Sequence, residues 1–250
     1  MSLLELPTVA LFVIVLGFAV GALVKGVLGA GLPALGLPIM VMQIEPAQAV
    51  ALFVVPVMIS NIWQVYEAGH YREAFRRFWP FLSMLVIGVW FGAAALTRVD
   101  PKIMALVLGG VVMSTTLGQI LVGNLRILKG RSGLINPLAG GVLGVCGGAT
   151  GMFAPAIVYF AALRLPKDLF VTQLALVAMS GSIPLYLRLL SDGHLDWSQL
   201  QASTLALLPA GLGLMAGFWI RSRISEAVFR RAVWTGLMIL GAALIWRGLS

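Results

Sequence analysis

Seven long apolar stretches are the feature of this sequence that most constrains its fold. A helix needs about 20 apolar residues to cross a hydrocarbon core of roughly 30 Å, and most of the stretches reach that length. Only 10% of the residues are charged, against about 25% in an ordinary soluble domain, so lipid has to replace water as the outer solvent. The sequence therefore predicts an all-α, polytopic membrane protein. The stretches lie at about 8–25, 46–66, 79–97, 101–123, 168–190, 198–220 and 231–247.

Two further apolar regions, 26–44 and 133–163, are interrupted by glycine and proline. These residues break helices, and broken backbone at membrane depth is tolerated only where it is buried in protein or faces a water-filled cavity. We therefore expect two broken, re-entrant helical hairpins. The first combines the opening apolar stretch with the first interrupted region, over 8–44, and the second covers 133–163.

The two interrupted regions match each other in spacing. In each of them a glycine stands seven residues before a proline, and the helix that follows begins after another proline. Fourteen and twenty residues after this second proline come a serine and a tyrosine. Because these matches recur in order, they predict an internal duplication of 1–124 and 125–250, each half with one hairpin and three further helices. The matched residues are Gly31, Pro38, Pro46, Ser60 and Tyr66 in the first half and Gly148, Pro155, Pro166, Ser180 and Tyr186 in the second.

Loop charges predict how the two halves are oriented. The basic loops are 67–78, 124–134 and 221–231, whereas the loop at 190–197 carries two aspartates. If each hairpin enters and leaves the membrane on one side, all three basic loops face the cytoplasm, as the positive-inside rule favours. The halves are then inverted repeats, and the first hairpin opens outside and the second inside. Inverted repeats with discontinuous helices are typical of secondary transporters, whose substrate site lies near the midplane.

The remaining composition excludes several other classes of protein. The single cysteine, Cys146, rules out an intramolecular disulfide and a cysteine-built zinc site. The 17 Lys and Arg residues lie mostly in short loops, a pattern of membrane orientation rather than of nucleic-acid binding. No His, Cys or carboxylate cluster has the spacing of metal ligands, so we expect no cofactor and no metal.

Two motifs resemble those of a known family. The C-terminal half contains Gly147-Gly148-Ala149-Thr150-Gly151 and then Gly193-His194-Leu195-Asp196-Trp197. The N-terminal half departs from this pattern, with Gly29-Ala30-Gly31-Leu32-Pro33 and with Tyr71-Arg72 where the turn normally ends in Asp. Over nearly the whole chain the sequence resembles the sulfite exporter TauE/SafE family of membrane permeases. The resemblance implies export of small anions, such as sulfite or organosulfonates, across a bacterial inner membrane.

The glycines at the hairpin breaks are the first candidates for substrate binding. Gly29, Gly31, Gly147 and Gly148 expose backbone N–H groups where a helix begins, and the helix dipole also favours an anion there. The hydroxyl of Thr150 offers a further donor. The alternative is that these small residues only allow membrane helices to pack closely.

Lys25 is the next candidate, because it is an ionisable side chain within an apolar stretch and beside a break. Charges inside a membrane are costly and indicate function, so Lys25 is a candidate counter-charge for an anion. In the alternative interpretation, its long side chain snorkels to the membrane interface.

Polar side chains on the helices after the hairpins complete the predicted site. Asn61 and Gln64 are three residues apart, and Gln173 and Ser180 are seven apart, so each pair shares a helical face. They are candidates to line a pore or bind substrate oxygens. The alternative role is hydrogen bonding between helices.

All nine acidic residues fall in predicted loops or at their edges. No carboxylate is therefore expected at mid-membrane to relay protons. An anion that leaves a negatively charged cell interior gains about 2.3 kcal/mol per charge per 100 mV. We therefore expect efflux driven by the membrane potential, with weak or no proton coupling.

The expected partners are a small anionic substrate and the lipid bilayer, without nucleic acid. A membrane subunit that binds a partner or assists assembly, without transport, is the alternative to a permease. An intramembrane enzyme is disfavoured, since no Ser/His or paired-carboxylate set lies in the apolar segments. The identity of the anion, the coupling ion and the oligomeric state are left open.

Overall fold

The computed structural model describes residues 7–122 and 132–249, and all the regular elements in these ranges are helices. In these ranges six spans are long and apolar enough to cross a membrane, with α10 and α11 counted as one, or seven if the bent pair α3–α4 is one more span. This confirms the predicted all-α, polytopic fold. The helices are α1 (Thr8–Leu28), α2 (Leu32–Val41), α3 (Pro46–Leu52), α4 (Val54–Ala68), α5 (Tyr71–Arg98), α6 (Pro101–Val122), α7 (Ser132–Thr150), α8 (Ala154–Ala162), α9 (Lys167–Ser191), α10 (Trp197–Leu205), α11 (Leu207–Arg221) and α12 (Glu226–Leu249).

Both interrupted regions are broken helices, as their glycines and prolines predict. The α1 helix ends at Gly29, which has a φ of 77°, and α7 ends at Gly151, which has a φ of 69°. This left-handed backbone is the usual glycine ending of a helix. A proline in the first turn of α2 (Pro33) and of α8 (Pro155) then favours a new helix start, because its fixed φ suits that position.

Glycine stripes hold the first helix of each half against a helix of the other half. A Cβ atom added at Gly144 of α7 would lie 2.4 Å from the carbonyl oxygen of Leu85 in α5. One added at Gly217 of α11 would lie 2.4 Å from the carbonyl oxygen of Leu23 in α1. Such close approach is the packing that small residues allow in membranes. Further contacts of this kind are Gly140 with Phe81, Gly148 with Val89, and Gly213 with Ala19. Residue numbers rise together along both contacts, so α7 runs parallel to α5, and α1 runs parallel to α11.

Hydrogen bonds at the helix ends show that α9 runs in the same direction as α5. Near the start of α9, the Thr172 hydroxyl donates to the carbonyl of Gly69, just before α5. Beyond the end of α9, the Asp192 carboxylate accepts from the hydroxyl of Thr97, near the end of α5. Since α5, α7 and α9 all begin on one side, the α7–α8 hairpin enters and leaves the membrane there. The α1–α2 hairpin opens on the opposite side, because α1 is parallel to α11, which returns from the end of α9.

The charges differ strongly between the two sides of the molecule. Among the described residues, nine Lys and Arg lie at the side where α5 and α9 begin, and four lie at the other. The positive-inside rule therefore places the first side in the cytoplasm. The predicted basic residues Arg126, Lys129 and Arg131 lie outside the described residues. The nine are Arg72, Arg76, Arg77, Arg164, Lys167, Arg221, Arg223, Arg230 and Arg231; the four are Arg98, Lys102, Arg188 and Arg247.

Three helices differ in detail from the predicted stretches. The stretch 46–66 bends by 47° between α3 and α4, and 198–220 is interrupted at Ala206. Most of the predicted loop 67–78 is the start of α5, whose charged residues face outward while Ala74 is buried. The charges of this amphipathic turn resemble a loop in sequence but not in structure. At Phe78 the backbone leaves the helical region, two residues before Pro80.

The outer surface of the helices is made of large apolar side chains. Phe91 and Leu212, for example, are exposed by 69% and 68%. In a membrane these side chains contact lipid rather than water. Four tryptophans are also exposed, namely Trp63, Trp79, Trp90 and Trp197.

Candidate functional site

A small cavity lies where the two broken helices meet. Its wall includes the first break at 29–31, Gly151 and Phe153 of the second break, one face of α4 and one face of α9. Its volume is about 70 Å³. The hairpins thus approach from opposite sides of the membrane and share one space in the interior of the protein.

The Lys25 ammonium is the charged group of this cavity. Its Nζ donates to Ser60 Oγ and to Asn61 Oδ1, each at 2.9 Å, and the residue is only 8% exposed. Both partners are neutral, and no carboxylate lines the cavity within the described part of the chain. A buried charge is normally paired, because its desolvation is expensive. The site therefore carries a positive charge that an anion can compensate.

Two helix N-termini add to this positive character. Leu32 and Ala34 at the start of α2 and Ala154 at the start of α8 line the cavity. The first N–H groups of a helix lack partners within the helix and favour an anion. The opposing carbonyl end of α1 is partly neutralised, since Gln64 Nε2 donates to the carbonyl of Gly29 and Lys25 lies in the last turn.

The α9 helix contributes one face to the cavity wall. Leu174, Ala178, Ser182 and Tyr186 are spaced by four residues, so they lie on one helical face, and all four line the cavity. Ser182 and Tyr186 bring hydroxyl groups that can donate to the oxygens of an anion.

Five of the residues predicted from sequence lie together in the cavity wall. Lys25, Asn61 and Gln64 contribute side chains, and Gly29 and Gly31 contribute backbone. The N-terminal half thus supplies the charged side chain and the two amide side chains of the wall, whereas the hydroxyls of Ser182 and Tyr186 come from the C-terminal half.

The other five predicted residues lie outside the cavity lining. Gly148 packs against α5, where an added Cβ would lie 2.4 Å from the Val89 carbonyl oxygen. The Thr150 hydroxyl donates to the carbonyl of Cys146 in its own helix. Gly147 contacts the ring of Phe153, and Ser180 is partly buried on α9.

Gln173 is the fifth of these residues, and it is fully buried. Its amide oxygen and nitrogen have no hydrogen-bond partner within the described residues. It lies one residue before Leu174, which lines the cavity, but is itself outside the lining.

Sequence reasoning missed Ser182, Tyr186, Gly151 and Phe153. The four-residue spacing on α9 was the available signal for Ser182 and Tyr186, but the spacing of Gln173 and Ser180 selected a neighbouring face. Phe153 gave no signal, since an aromatic residue in an apolar segment is usually taken as core or as lipid-facing.

Comparison with known proteins agrees with this architecture. The family model described as "Sulfite exporter TauE/SafE" matches residues 13–244 of the 250-residue chain. No curated protein and no solved structure gave a significant match. The match includes both hairpins and every helix that lines the cavity. The family is one of multi-pass membrane transporters. The chain therefore belongs to the sulfite exporter TauE/SafE family.

Proposed function

We propose that this protein is a secondary transporter, without enzymatic activity, that exports a small sulfur-containing anion such as sulfite or an organosulfonate. We place it in the inner membrane of a bacterium. Family membership supports transport of sulfur anions in general. The cavity that contains Lys25 lies between the two broken hairpins. Its charge supports an anionic substrate, its volume supports a small one, and its position supports binding at the hairpin breaks.

The electrostatics of the cavity carry this proposal. The Lys25 ammonium has only neutral partners, and the starts of α2 and α8 lie in the same wall. Charge-assisted hydrogen bonds from an ammonium or from a helix N-terminus to an anionic oxygen are among the stronger polar contacts in proteins. A cation would instead be repelled by the positive charge of Lys25.

The volume of the cavity indicates a small substrate. A cavity needs about 10–15 Å³ to hold one water molecule, so a space of about 70 Å³ admits a solute of a few non-hydrogen atoms. Sulfite, with four such atoms, belongs to this size class. Sites for drug-sized ligands are much larger, at about 300–1,000 Å³.

Export of such an anion can be driven by the membrane potential alone. No carboxylate is found in the cavity wall in the described ranges, which favours weak or no proton coupling. The basic side of the molecule faces the cytoplasm, where the potential pushes an anion outward with about 2.3 kcal/mol per charge per 100 mV.

Replacement of Lys25 by methionine in proteoliposomes tests the proposal. Lys25→Met keeps an unbranched side chain that is one atom shorter, and it removes the charge. Hydrogen bonds to charged groups contribute about 1.5–3 kcal/mol, so we expect sulfite affinity to fall about ten- to hundredfold. Binding is measured by sulfite-dependent thermal stabilisation, and flux under a potential imposed with potassium and valinomycin.

Lys167→Met is the matched control, because Lys167 is an exposed lysine at the cytoplasmic start of α9. It is expected to transport as the wild type does. If wild-type sulfite flux did not change with the imposed potential, potential-driven efflux would be disproved. Equal sulfite affinity in Lys25→Met and the wild type would disprove the proposed site.

A further inference from the structure

The two halves of the chain differ at the positions that hold Lys25 and Asn61. Lys25 stands four residues before Gly29, the left-handed glycine that ends α1, and Gly147 stands four before Gly151, which ends α7. The backbone bond is the same in both, from the glycine N–H to the carbonyl four residues earlier, at 2.8 Å. Matching the halves at these helix ends, instead of by the sequence spacing that pairs Gly31 with Gly148, places Gly147 where the first half has Lys25. The equivalent of the Lys25 side chain is therefore absent.

The partner position differs in the same way. Asn61 stands fifteen residues after Pro46, and Gly181 stands fifteen after Pro166. A charged and a polar side chain that bond to each other in the first half are thus replaced by two glycines in the second. The space between these glycines is not empty.

The ring of Phe153 fills the space between Gly147 and Gly181. A Cβ added at Gly147 would lie 2.5 Å from ring atoms Cδ1 and Cε1, and one added at Gly181 would lie 2.4 Å from Cε1 and Cζ. Both separations are too short for real atoms, so the ring fits there only because both residues are glycine. Phe153 itself is partly buried and lines the cavity.

We propose that Phe153 is the specificity-determining residue of the cavity and limits the substrate by size. Its ring occupies, in the second half, the place that the lysine and asparagine hold in the first, and it closes that side of the cavity. This inference rests on the proposed function, since it assumes that the anion binds beside Lys25. Removal of the ring opens the slot between α7 and α9 and adds its volume to the cavity, whereas the Lys25 side is unchanged.

The consequence is that Phe153 excludes anions with an alkyl chain. Sulfite and methanesulfonate fit beside the ring, while the longer chain of propanesulfonate requires the space that the ring fills. A contribution to stability alone would lower all fluxes together and leave their ratio unchanged. The ratio of propanesulfonate flux to sulfite flux therefore separates the two roles.

The test measures this ratio in proteoliposomes for the wild type, Phe153→Ala and Phe153→Leu. We expect it to rise about tenfold or more in Phe153→Ala, since discrimination of a single methylene in a pocket is typically 10- to 200-fold. The increase in Phe153→Leu should be smaller. Phe170→Ala is the control, because Phe170 is also partly buried but does not line the cavity, and its ratio should match the wild type.

A second pair of variants tests the slot itself. Gly181→Ala forces the ring out of its place, so sulfite flux should fall, and the double variant Gly181→Ala/Phe153→Ala should recover it. An unchanged ratio in both Phe153 variants, or no recovery in the double variant, would overturn this inference. Absence of sulfur-anion flux in the wild type would instead contradict the proposed function.

Discussion

At the scale of single residues, Asn61 determines how the charge of Lys25 is presented to the cavity. Its Nδ2 donates to the Val57 carbonyl at 2.8 Å, which leaves Oδ1 as the acceptor for the lysine ammonium. The amide therefore orients the ammonium without neutralising it. Ser60 does the same with its hydroxyl, which accepts from Lys25 and donates to the Val57 carbonyl.

The charge at position 61 is a direct test of this arrangement. Asn61→Asp keeps the shape of the side chain but places a carboxylate against Lys25. A unit charge at 4 Å is worth about 4 kcal/mol at an effective dielectric constant of 20, so we expect sulfite affinity to fall at least about tenfold. Sulfite-dependent thermal stabilisation measures it. Asn61→Leu, which removes the acceptor without adding charge, should weaken binding less; an equal effect of the two substitutions would contradict the electrostatic explanation.

At the scale of helices, the breaks remain stable in the membrane because side chains satisfy the backbone that they release. The bend between α3 and α4 is an example. Ser203 of α10, fully buried, accepts from the Val55 N–H at 2.9 Å and donates to the Leu52 carbonyl at 2.7 Å. A residue some 150 positions away thus supplies the hydrogen bonds that the bend removes from the helix.

Substitution of Ser203 is therefore expected to destabilise the protein. Ser203→Ala leaves a buried N–H and a buried carbonyl without this partner, at a cost of about 1–3 kcal/mol for each unsatisfied group. The Tm of the purified protein should fall clearly. Thr204→Ala is the control, because Thr204 is exposed and its hydroxyl only bonds to the Leu200 carbonyl of its own helix. Equal Tm values for the two variants would show that Ser203 does not support the bend.

At the scale of the whole molecule, the two hairpins open on opposite sides, and the first helix of each half packs on the other half. The helix directions are those expected of inverted repeats. The division of the chain at 124 and 125 stays a prediction, since the junction lies outside the described residues. An inverted pair gives one site two approaches, one from each side, which is the geometry that alternating access requires.

The predicted orientation is testable with single cysteines in a Cys146→Ser background. Ser191 and Ser222 are both exposed. Ser191 ends α9 and Ser222 follows α11, at opposite sides of the molecule. Ser191→Cys should react with a membrane-impermeant maleimide in intact cells, and Ser222→Cys only after permeabilisation. The reverse pattern of labelling would invert the orientation and would remove the argument for export.

Several features of the fold follow from the sequence because they depend on local chemistry. Glycine and proline clustered within a few residues favour a helix break, so the breaks near Gly31 and before Pro155 are visible in the sequence. Basic residues next to membrane spans are enriched on the cytoplasmic side, so Arg72 and Arg223 indicate that side. The same reasoning made Lys25 a candidate, because a charge inside an apolar stretch is costly wherever the helix lies.

What only the tertiary structure decided is which face of each helix meets the other elements. The sequence alone determined that two glycine-rich breaks exist and that a lysine lies beside one of them. Helix phase and packing decided that Ser182 rather than Ser180 lines the cavity, and that Gly148 contacts α5 instead. Packing partners far apart in sequence leave no local signature, because close contact depends on the shape of both surfaces, and for that reason the fit of Phe153 between two glycines appears only in three dimensions.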